Sequence, residues 1–88
     1  MTKAASEEFQ RDLTCFIRGL APEYARRIRG TTRLFESGVM DSYKVLDLIS
    51  YLETALRIRI PDERVTLDNF RSIRAMTNAF WKPGNTDH

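Results

Sequence analysis

At 88 residues, 42% hydrophobic and 30% charged, the chain has room for one domain and is too apolar for intrinsic disorder. A formal net charge of +2 is too small to argue for nucleic acid by itself, and no apolar run approaches the ~20 residues that a membrane span needs. The single cysteine, Cys15, excludes an internal disulfide, and the N-terminus lacks the apolar stretch of a signal peptide, so a reducing, cytoplasmic setting is expected.

Ser6-Glu7-Glu8 reads as a helix start, with acids where the macrodipole favours them. Phe9, Leu13, Phe16, Ile17 and Leu20 then recur at helical spacing on one face. Cys15 falls off that stripe and reads as a spectator, because a Cys/His metal site lacks ligands when the only histidine is His88. Gly19 and Pro22 end or kink the helix. Residues 23–29 suit a short helix with Tyr24 and Ile28 inward. Arg26, Arg27, Arg29 and Arg33 make the densest basic cluster; without interleaved aromatics to stack bases, they read as a solvated loop rather than a nucleic-acid contact.

Leu34 and Phe35 read as a plug that pins this loop to the core, and Gly38 permits the turn before Asp41. Ser42 to Leu56 is the main amphipathic helix. Leu46, Ile49, Leu52 and Leu56 are its expected inner stripe, with Val45, Leu48 and Ala55 at the flanks and Asp47, Ser50, Tyr51 and Thr54 outside. Phe9, Phe35 and Ile73 are expected to join that stripe in the core. Arg57-Ile58-Arg59-Ile60 alternates like a strand, but Pro61 follows directly, so an extended connector is expected. Asp62-Glu63 opens a short turn. Thr66 or Asp68 caps a brief third helix through Leu67 and Phe70, and Ser72 caps a last helix with Ile73, Met76 and Phe80 inward. Trp81 closes the core edge. The domain is expected to span 1–82, with 83–88 as a frayed tail.

A serine at a helix entrance is by itself ordinary capping. Its surroundings here carry more. Leu34-Phe35-x-x-Gly38, Asp41-Ser42, the helix Val45 to Leu56, Ile58-x-Ile60-Pro61-Asp62 and Asn69-Phe70-x-Ser72-Ile73 follow one another in order over about half the chain. Together they resemble the acyl carrier protein superfamily, which includes peptidyl and D-alanyl carriers. The resemblance implies an all-α fold: a four-helix carrier bundle with a long first loop and a short third helix. It implies that Ser42 bears a covalent 4′-phosphopantetheine arm and that Asp41 assists the modifying transferase. The helix-start amides and macrodipole would favour the phosphodiester, with Asp41 capping the helix and Ser42 left free.

Nothing in the sequence assembles a catalytic apparatus. A serine hydrolase needs a histidine base, and the four glycines are scattered singly rather than gathered into a phosphate loop. The role that the resemblance implies is a free-standing, monomeric carrier that is itself a substrate. Its expected partners are a phosphopantetheinyl transferase, a loading ligase or synthase, and downstream enzymes of a specialised lipid or secondary-metabolite pathway. The alternatives are an aminoacyl or peptidyl carrier loaded by an adenylate-forming ligase, a helical interaction module without the arm, and a small basic nucleic-acid binder. In fatty-acid carriers the main helix is strongly acidic. Here Asp47 and Glu53 are opposed by Lys44, and Arg57 and Arg59 follow. A near-neutral docking face is expected, formed by Met40, Tyr43, Lys44, Asp47, Tyr51 and Asp62.

Overall fold

The computed structural model describes residues 2–82, with side chains from Ala5 onward. The described chain is all-helical, and no strand occurs among the described residues. The expected tail, 83–88, lies outside them.

Helix α1 runs Thr2–Leu20 and buries Phe9, Leu13 and Ile17, successive members of an i, i+4 ladder. It begins ahead of the expected start at Ser6, so Glu7 and Glu8 lie beyond the first turn. Pro22 opens a 3₁₀ turn, Pro22–Arg27, at the first-turn position proline tolerates. Ile28 is fully buried just beyond it, and its carbonyl accepts a hydrogen bond from Arg18 Nη2 at 3.0 Å. The loop that follows is pinned at Leu34. Its side chain is fully buried, its amide donates to the Arg71 carbonyl at 2.8 Å, and its carbonyl accepts from the Met40 amide at 2.9 Å. Between those two bonds Gly38 sits at φ 88°, in the left-handed region where a Cβ is strained.

Helix α2 spans Lys44–Leu56. Its buried stripe is Leu48, Leu52 and Leu56, with Val45 and Ile49 packed partly against the core. Leu46, expected inside, is 62% exposed. Two helical positions turn through about 200°, so a helix that buries Leu48 must turn Leu46 outward. Phe35 and Ile49 are half-buried against the core rather than inside it.

Arg57 ends α2 in the left-handed conformation, φ 57° and ψ 46°, and the Ile58 amide bonds back to the Glu53 carbonyl at 3.1 Å. The connector that follows forms neither helix nor strand, and Pro61 at its end has extended backbone. The Glu53 carboxylate accepts from the Ile60 amide at 2.8 Å and holds it. A 3₁₀ turn, Asp62–Arg64, leads to helix α3, Leu67–Phe70, and helix α4, Ile73–Phe80. Both caps form: Thr66 Oγ1 accepts from the Asn69 amide at 3.2 Å, and Ser72 Oγ from the Ala75 amide at 3.0 Å. Ile73, Met76 and Phe80 are buried where α4 packs on α1 and α3, and Trp81 packs at the margin of that core.

Candidate functional site

The pinned loop delivers Asp41 and Ser42 to the mouth of α2. Asp41 Oδ1 accepts from the amides of Tyr43 and Lys44 at 3.0 and 2.9 Å, and the Asp41 carbonyl accepts from Val45 at 3.0 Å. Asp41 is thus the residue that caps this helix in effect. The Lys44 amide is the main reason its carboxyl lies below the usual range; desolvation opposes it as the next largest effect, and the Tyr43 amide and the Lys44 charge add to the lowering. Ser42, expected as the first residue of the helix, is exposed in the turn two residues ahead of α2. The amides of Tyr43 and Lys44 are occupied by the Asp41 carboxylate, the capping expected of it. An anion at Ser42 would neighbour a negative charge, so covalent attachment rather than amide capture would have to hold it there.

Beside Ser42 lies an open groove of about 360 Å³, walled by Phe35 and Val45 on one side and Val65, Thr66, Leu67 and Phe70 on the other. Phe70 is buried; Val65 and Leu67 are 36% and 57% exposed. At the N-cap of α2, Tyr43 is 84% exposed, and Leu46 lies three residues on, on the same side of the helix. These four are the large apolar side chains the described surface leaves most open, and two of them line the groove next to Ser42. The groove is mostly apolar and accessible, and a flexible chain attached at Ser42 Oγ has apolar surface within reach.

Tyr43, Asp47 and Asp62 are exposed as a docking role requires, and Lys44 is half-exposed. Met40 is not available for docking: it is 3% exposed, because its amide bond to the Leu34 carbonyl brings it into the core with Val39. Tyr51 is half-buried and stacks on Phe16, with ring centroids 4.3 Å apart and planes 15° apart, so it joins α2 to α1. Burial raises its phenol pKa, helped by Asp12 and Cys15. Leu46, Val65 and Leu67 were missed as surface contacts. For Val65 and Leu67 the signal was that the Thr66 cap leaves the residues flanking it at the start of a helix too short to bury all of its apolar side chains.

Cys15 is exposed. Among the described residues no group of His, Cys, Asp and Glu is placed to hold a metal ion, and no helix is long and apolar enough to cross a membrane. His88 lies outside them, and no described histidine stands near Ser42. Compared with protein-family models, with curated proteins and with solved structures, the chain matches none.

Proposed function

We propose that this chain is an acyl carrier protein, modified on Ser42 by a 4′-phosphopantetheine arm that holds an acyl cargo as a thioester. The observation that carries the reading is the placement of Ser42. It is exposed in the turn that leads into α2, after an aspartate that caps the helix by itself, and beside an apolar groove. The element order supports the four-helix carrier bundle: a long α1, a connection of residues 28–43, α2, a four-residue α3 and α4.

Each residue has a distinct part. Ser42 Oγ is the attachment point, presented to a phosphopantetheinyl transferase that moves the arm from coenzyme A. Asp41 caps α2 through its carboxylate, so the Ser42 hydroxyl is not needed for the cap. Phe35, Val45, Val65, Leu67 and Phe70 offer apolar surface to the arm or to an apolar cargo. When bound, the arm supplies a thiol that carries the cargo between enzymes, and tethering raises the cargo's local concentration at each docked partner. Tyr43, Leu46, Val65 and Leu67, with Lys44, Asp47 and Asp62, make a docking rim that is apolar and mixed in charge. Such a rim fits dedicated partners of a specialised lipid or secondary-metabolite pathway better than enzymes that select a strongly acidic helix.

The test is to incubate the full chain and its Ser42→Ala variant with a broad-specificity phosphopantetheinyl transferase and coenzyme A, and to measure intact mass. The wild type gains the arm and the variant does not, with unchanged circular dichroism. A wild type left unmodified while a control carrier is converted, or a variant that is still modified, overturns the proposal.

A further inference from the structure

A second surface, built from residues other than those that line the Ser42 groove, emerges only on folding. Between Ala25 and Leu34 the chain has four arginines and no acid; between Asn69 and Lys82 it has Arg71 and Arg74 and again no acid. Backbone hydrogen bonds join these two stretches. The Arg74 amide donates to the Gly30 carbonyl at 2.9 Å, and the Leu34 amide to the Arg71 carbonyl at 2.8 Å. The loop is fastened at both ends by the buried Ile28 and Leu34, and within it Thr32 Oγ1 takes the Arg29 amide at 2.7 Å and donates to the Arg27 carbonyl at 3.2 Å. Arg26, Arg27, Arg29, Arg33, Arg71 and Arg74 are all exposed on this fixed backbone.

We infer that this arginine face binds an acidic surface of a partner protein. The cations are guanidinium groups without a lysine among them, and the planar fork matches carboxylates bidentately where an ammonium acts as a point charge. Two acids stand at the margin: Asp68 holds Arg71 Nη2 at 2.6 Å, and Glu36 holds Arg33 at 3.5 Å. Among the described residues no ion pair engages Arg26, Arg27, Arg29 or Arg74. Carboxylates spaced singly on a protein surface match the guanidinium groups that no ion pair engages and leave Asp68 and Glu36 at the rim of the contact, whereas a continuous phosphate polymer would run past both as repulsive neighbours. No exposed aromatic interleaves to stack bases, and the exposed large apolar side chains are Tyr43, Leu46, Val65 and Leu67, none of them in the two arginine stretches, so neither single-stranded nucleic acid nor a penetrated membrane is favoured. This inference does not depend on the arm at Ser42.

The experiment titrates the isotope-labelled full chain with a synthetic peptide of Asp, Glu, Gly and Ser, and separately with a short DNA duplex and with phosphatidylcholine–phosphatidylglycerol vesicles, following backbone amides by NMR. The expected result is salt-sensitive peptide binding that shifts the amides of Arg29, Gly30, Thr32, Arg71 and Arg74. The paired charge reversal Arg29→Glu and Arg74→Glu weakens it by about tenfold or more. The thermal midpoint stays in place because neither side chain is buried. Lysine at both positions recovers only part of the affinity. Absence of binding, shifts centred on Arg57, Arg59 and Arg64, affinity indifferent to the reversal, or tighter binding of the duplex or the vesicles at these amides would each overturn the inference.

Discussion

Replacing Leu48 and Leu46 by alanine, one at a time, separates two phases of α2 that differ by two residues. Leu48 has no exposed surface and sits in one stripe with Leu52 and Leu56; Leu46 is 62% exposed. Truncating a fully buried leucine removes its transfer free energy and leaves a cavity, together about 2–5 kcal/mol. Leu46 gives up little burial, and its truncation stays within about 0.5 kcal/mol, as surface substitutions usually do. At roughly 4–8 °C per kcal/mol for a domain this size, Leu48→Ala lowers the thermal midpoint by about 8 °C at the least, and Leu46→Ala by a few degrees at most. Urea unfolding followed by circular dichroism reads the same contrast as a shift in midpoint at constant slope. Equal losses at the two positions, or the larger loss at Leu46, would refute the helix phase and with it the placement of the docking rim.

Other perturbations test the loop and the cap. The carboxyl of Asp41 has a lowered pKa, so its contribution is present above the free-aspartate value and is lost as pH falls through the lower folded value. An NMR titration should show Tyr43 and Lys44 amides moving together with that acidic midpoint, and Asp41→Asn should abolish the movement. Gly38→Ala places a Cβ 3.2 Å from Tyr24 Oη at φ 88° and should cost about 1–2 kcal/mol in a denaturant melt; no loss would show that the turn relaxes freely. Glu53→Ala strips the buried Ile60 amide of its acceptor, at about 1–3 kcal/mol, and should speed hydrogen exchange at Ile60; unchanged exchange there would show that the connector is held by something else.

Much of this architecture was legible because local chemistry decides it. The Thr66 and Ser72 caps, the Pro61 connector and the Phe9–Leu13–Ile17 ladder each follow from a residue type in a fixed local pattern. The phase of α2 did not, because Val45, Leu46, Leu48, Ile49, Leu52, Ala55 and Leu56 crowd the helix with apolar residues and support overlapping stripes. Only the rest of the core chooses between them. Met40 was misplaced for a related reason: adjacency to Asp41 suggested the surface, whereas the bond to Leu34 fixes the interior. The arginine face required two stretches some forty residues apart to meet through Gly30 and Arg71, which no local pattern encodes.

The most direct measurement of the central claim is the intact mass of the protein purified from its native host, followed by fragmentation to find any added group. The account predicts a mass above that of the 88-residue chain by a phosphopantetheine arm, alone or with its cargo, located on Ser42. A population that carries only the unmodified mass, or an arm found on another residue, would contradict it.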